Sequence, residues 1–158
     1  IKINEIDSYV LGGHGDAMVP MLNKTTVKNK ALKDLIKEGK ITKEKISEII
    51  NRTRRGGAEI VKFLEKGSAY YAPAASGIEM AESYIKDQKK MLPCAAFLNG
   101  QYGVSGLYAG VPVIIGSGGV EKIVEINLEQ EEKINFENSI KAVRELFDTA
   151  KKIDPSLN

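Results

Sequence analysis

The apolar positions of this chain change their period several times, and each change marks an element. Residues 6–11, IDSYVL, fit a strand that stops at Gly12 and Gly13, and residues 19–27, VPMLNKTTV, fit a second strand after a short loop. Residues 31–38, closed by Gly39, predict a short helix, and Thr42 stands where the N-cap of the next one belongs. That next helix is long: Ile46, Ile49, Ile50, Thr53, Gly57, Ile60, Val61 and Leu64 recur at steps of three and four, with Gly67 positioned to end it. Gly56 and Gly57 break a rule there, since each costs about 1 kcal/mol relative to alanine inside a helix, and a kink is expected at that point.

A further helix follows Pro73, with Ala75, Ile78, Ala81 and Ile85 on one stripe that would let it lie close against a partner. Between residues 92 and 126 the period falls to two, and glycines punctuate residues 100–119 as hairpins and bulges require. The last helix carries Phe136, Ile140, Val143, Phe147 and Ala150 on one face. Glu129, Glu131 and Glu132 lie near its start and Lys151 and Lys152 near its end, the order that complements a helix dipole. Strands, then helices, then strands, then a helix, without repeat or linker, give one α+β domain over residues 1–158 rather than a regular βαβ alternation.

Composition narrows the function classes more than it changes this picture. A chain of 158 residues is long enough for a real core, hiding roughly 68–70% of its unfolded surface. With 23 basic against 21 acidic residues, the formal charge of +2 gives no general pull toward nucleic acid or an anionic membrane, so a small molecule or a protein is the expected partner. No apolar run approaches the ~20 residues of a membrane helix. Cys94, alone in LPCAAFL, reads as a small buried apolar residue in a reducing compartment, which makes the expected location cytoplasmic. The chain opens on Ile1 with an alternating segment and no initiator Met, as a piece of a longer polypeptide would.

Most motifs that suggest chemistry fail on detail. GSGGVEK, residues 116–122, follows an apolar strand as a phosphate loop would, but the third fingerprint glycine falls at Glu121 and VEKIVEI continues as a strand, so a hairpin turn is expected. One His, one Cys and no carboxylate pair at ligand spacing leave zinc and iron no site, so no metal is expected. Glu79 with Glu82, and Arg52, Arg54 and Arg55, read as solvated helix faces. Neither GSGG nor SGLYAG has the GxSxG form of a serine hydrolase.

His14 is what remains. It sits in VLGGHGD just beyond a strand end, with Gly13 and Gly15 beside it leaving room for a backbone and a bound molecule. An imidazole takes and returns protons around neutral pH, so general acid–base work is the role open to it, worth typically about 10²–10⁴-fold in rate.

VLGGHGDAMVP resembles the active-site strand and loop of the lactate and malate dehydrogenase family. The likeness runs on through RTRRGGAEIVKFLEKGSAYYAPAAS, AESYIKDQKKMLPCAAFLNGQYGV and LYAGVPVIIGSGGVEKIVEI, in order and over essentially the whole chain. It is closest to the lactate-dehydrogenase-like malate dehydrogenases, in their carboxy-terminal, substrate-binding half. The resemblance implies a twisted antiparallel sheet packed with long helices, an amino-terminal Rossmann domain that this sequence does not include, and a homo-oligomer, dimer or tetramer. It implies that His14 takes the hydroxyl proton of malate as the C2 hydride passes to NAD, giving oxaloacetate, a step of the tricarboxylic acid cycle. It sets Ala69 beside the substrate and Pro73 near the nicotinamide ring.

The same comparison puts the glycine-rich dinucleotide loop, the mobile-loop arginines, the Asp that orients the histidine and the Arg that clamps the substrate upstream of Ile1. Asp16, although near His14, is not given the orienting role. The chain by itself is therefore expected to be inert, without NAD binding or malate oxidation. Two alternatives stay open: lactate dehydrogenase, whose deciding mobile-loop residue lies outside the sequence, and a non-catalytic oligomerisation or binding module.

Overall fold

The computed structural model describes residues 1–157. Its centre is a five-stranded antiparallel sheet. Strand β2 (Val10–Gly12) pairs with β3 (Met18–Pro20), and β6 (Lys90–Asn99) runs along β7 (Ser105–Gly116). Strand β7 also pairs with β2 at Gly12↔Gly110 and, further along, with β8 (Gly119–Ile123). A smaller sheet of β1 (Ile6–Asp7), β4 (Thr26–Val27) and β5 (Lys30–Ala31) stands beside it.

The helices are α1 (Leu32–Lys37), α2 (Lys43–Arg54), α3 (Gly56–Leu64), α4 (Tyr71–Ile85) and α5 (Gln130–Ile153). Helix α5 lies on the sheet with Phe136 and Ile140 buried among Leu11, Val19, Leu98 and Val111. Each such side chain contributes about 1.5–3 kcal/mol of transfer free energy, which holds helix and sheet together. The start of α5 is closed by a reciprocal cap: Glu132 accepts the Glu129 N–H at 3.0 Å, and its other oxygen accepts the Asn23 N–H at 3.3 Å, tying the helix to the turn before β4.

Several boundaries differ from the pattern, each for a local reason. Residues 6–11 form two strands, because β1 pairs with β4 in the small sheet while β2 joins the large one. Residues 19–27 are likewise divided by a 3₁₀ turn at Leu22–Lys24. The long helix is two helices: Arg55, at φ −98° and ψ 6°, ends α2 one residue before Gly56. A Cβ at Gly56 or Gly57 would meet nothing within 4 Å, so their weak helix propensity, and not a close neighbour, accounts for the break. Helix α4 starts at Tyr71, taking Pro73 into its first turn, where a missing N–H costs little. Its stripe is not covered: Ile78 is 67% and Ile85 77% exposed.

Gly116 and Gly119 end facing strands in the expected hairpin, Thr42 caps α2 by accepting the Lys45 N–H at 3.2 Å, and Cys94 is buried. Burial pushes the Cys94 thiol up, keeping it protonated. Among the described residues no helix is long and apolar enough to cross a membrane.

Candidate functional site

His14 stands in the loop, residues 13–17, that joins β2 to β3. Gly12, at φ +86°, turns the chain out of β2, a left-handed conformation that favours glycine. His14 itself is extended, at φ −86° and ψ 149°, and caps a 3₁₀ turn over Gly15–Ala17 before β3 begins. Its ring is exposed at the mouth of a cleft of about 190 Å³ whose other walls include Val10, Met18, Pro93, Cys94 and Gly110. An imidazole is thus set at the rim of an apolar recess, just beyond the end of β2.

Three contacts pin this loop. The Gly13 N–H donates to Ser139 Oγ at 2.8 Å, and the Ser139 hydroxyl donates to the Ala17 carbonyl, so one buried side chain of α5 holds the backbone on both sides of His14. Arg54, at the end of α2, donates through Nε to the Met18 carbonyl at 3.1 Å. Behind the loop, β2 and β7 meet glycine to glycine, and a Cβ at Gly110 would lie 2.7 Å from the Gly12 carbonyl oxygen.

The glycines here serve packing as much as access. A side chain at Gly12 would collide with Ser139, and one at Gly13 would press on Val143 and Ala17 at 3.0 and 3.2 Å, so these two admit α5 rather than a ligand. Gly15 has open space around it and is required for its φ of +74°.

Ala69 and Pro73 are not brought to this cleft. Ala69 is half-buried in the turn before α4, next to Tyr70 at φ +40°, and Pro73 is exposed on the first turn of α4; neither lines the recess at His14. Asp16 is exposed on the same loop. Of the basic cluster, Arg52 makes a bidentate pair with Glu59 at 2.8 and 3.0 Å across the α2–α3 break, Arg55 is exposed, and Arg54 has the loop-anchoring role that its solvated reading missed. Glu82 pairs with Lys86, and Glu79 with Lys90 at 3.5 Å.

A larger cleft of about 460 Å³ opens between α2 and α5, around Asn51, Arg54 and Asn135. It does not include His14, and the acidic Glu129, Glu131 and Glu132 share it. Among the described residues no three His, Cys, Asp or Glu side chains gather as a metal site. Residue patterns alone did not reveal Ser139, Gly110 or Arg54. The signal for Ser139 was present: it lies on the same face of α5 as Phe136 and Val143, and a polar residue inside an apolar stripe needs a partner.

The chain is 61% identical over all its 158 residues to a malate dehydrogenase of Pelagibacter ubique, and covers 49% of that protein. Among solved structures it is similar to the malate dehydrogenase of Cryptosporidium parvum, with a TM-score of 0.93 and 44% identity over 96% of this chain and 48% of that one. It is equally similar, at 0.93 and 42% identity over 98% and 48%, to the lactate dehydrogenase of Eimeria maxima solved with NADH and oxamate. The chain thus spans about half the length of the relatives it matches. The model of the lactate/malate dehydrogenase α/β carboxy-terminal domain matches residues 2–153, and the chain belongs to that family.

Proposed function

We propose that this chain is the substrate-binding half of an NAD-dependent malate dehydrogenase, with His14 as its acid–base group. The observation that carries the reading is the presentation of His14: a lone imidazole, exposed at an apolar recess, on a loop whose backbone is tied on both sides to a buried helix. In malate oxidation a nitrogen of His14 accepts the C2 hydroxyl proton, and in oxaloacetate reduction the imidazolium returns it. NAD supplies the acceptor for the hydride leaving C2.

The described residues do not fit the whole of that cofactor. In the glycine turn after β7, the Ser117 N–H already donates to Asp87 at 2.8 Å and the Gly118 N–H to Glu121 at 3.3 Å, and two carboxylates would repel a diphosphate. The 190 Å³ recess is also smaller than the roughly 300–1,000 Å³ of ordinary ligand sites. On this reading the phosphate seat and the substrate-clamping charges belong to the other half of the enzyme. The 158-residue chain alone is then expected to give no heat of NAD binding in calorimetry.

A lactate dehydrogenase is the second reading, favoured by the equal structural likeness to the Eimeria enzyme. Turnover of oxaloacetate against pyruvate by the full-length enzyme separates the two. The site itself is tested by His14→Asn, which is expected to cost about 10²–10⁴-fold in turnover with coenzyme affinity retained; full activity would remove the assignment. Ala69 and Pro73, in the turn before α4 and in its first turn and outside the recess, are proposed to meet substrate and nicotinamide in the full-length enzyme. A homo-oligomer, supported by the uncovered apolar face of α4, and a cytoplasmic location complete the proposal.

A further inference from the structure

We propose that Ser139 is a positioning residue for proton transfer, acting through the loop that carries His14; this rests on the acid–base reading of His14 given above. Ser139 is 4% exposed, on the face of α5 that packs on the sheet. Its single hydroxyl both accepts from Gly13, immediately before His14, and donates to Ala17, at the end of the 3₁₀ turn after it. These two bonds refer both ends of the loop to one atom of a 24-residue helix. The sequence around them is complementary: Gly12 has no side chain where one would strike Ser139, and Gly13 has none where one would strike Val143.

The imidazole is exposed here, and the backbone beneath it sets where the ring can reach. Transfer of a proton needs heavy atoms about 2.6–3.2 Å apart, and a misplacement of about 1 Å can cost 10²-fold. Removing the hydroxyl leaves the Gly13 N–H and the Ala17 carbonyl without this partner and frees both loop ends together. The consequence falls on the chemical step, while the phosphate seat of the coenzyme, on this reading in the other half of the enzyme, is unaffected.

The test uses the full-length enzyme and compares Ser139→Ala with Val143→Ala. Val143 packs on the same loop without a hydrogen bond, so its truncation loosens the contact but leaves the tether. Ser139→Ala is expected to lower kcat by about 10- to 100-fold, with the KM for NAD unchanged and a larger solvent isotope effect on kcat. Val143→Ala is expected to lower the melting temperature with kcat changed less than about twofold. Ser139→Cys, which keeps a weaker donor and acceptor and provides the measurement if the alanine variant does not fold, is expected to fall between Ser139→Ala and the parent. If kcat follows melting temperature across all three variants, or if Ser139→Ala and Ser139→Cys keep full kcat, Ser139 is only structural and the proposal is overturned. A fully active His14→Asn would instead overturn the reading on which it rests.

Discussion

Two regions of this molecule carry similar apolar stripes and meet opposite fates. On α5, Phe136 is 3% and Ile140 8% exposed, sealed against β2, β6 and β7. On α4, Ile78 and Ile85 stand in solvent, and Ser83 alone in that helix is buried, donating to the Ile115 carbonyl at 2.7 Å. Periodicity says which residues share a face and not what covers it. The difference bears on chemistry: His14 hangs from the sealed side, where Ser139, Arg54 and the Gly12–Gly110 contact define its backbone, whereas Ala69 and Pro73 belong to the open side.

The contrast can be broken by substitution. Phe136→Ala empties a packed site that also holds the ring of Tyr102 at 5.3 Å, and is expected to cost about 3–5 kcal/mol in urea unfolding. Gly110→Ala forces a methyl toward the Gly12 carbonyl, and the only relief is to part β2 from β7; a loss of about 1–3 kcal/mol is expected. In the full-length enzyme the same change should depress turnover, because the displaced strand leads into His14.

Ile78→Ala in the 158-residue chain is expected to stay within about 0.5 kcal/mol of the parent. A larger loss in the full-length enzyme would show that its α4 face is covered there.

The smallest effect concerns the α2–α3 break. The hydrogen bonds from Arg52 hold the Glu59 carboxyl below the ordinary glutamate range. A carboxyl lowered on folding adds stability above its unfolded pKa and loses it as pH falls through the folded one. Glu59→Gln should therefore melt slightly below the parent at pH 7, and the gap should close in acid and shrink in salt, since the pair is exposed.

What was legible in the sequence was what local periodicity and turn chemistry control. The α5 stripe, the Thr42 cap and the hairpin at Gly116 and Gly119 are local decisions, and they stand in the structure as read. The place of His14 just beyond a strand end was legible, because Gly12 and Gly13 interrupt the apolar run there. The divided strands were not, since only pairing across distant segments assigns residues 6–7 and 10–12 to separate sheets. Ser139 escaped because its partners lie 122 and 126 residues away, a separation over which one serine on a helix resembles any other. Gly110 read as one more turn glycine, although the cause of its missing side chain is the backbone of β2.

The most direct measurement is the distance from His14 to the reacting oxygen in a crystal structure of the full-length enzyme with NAD and a substrate analogue. A ring nitrogen within about 3 Å of the C2 oxygen, with Ser139 still bound to Gly13 and Ala17, is the expected result. An imidazole turned away from that oxygen would contradict the assignment of proton transfer to His14.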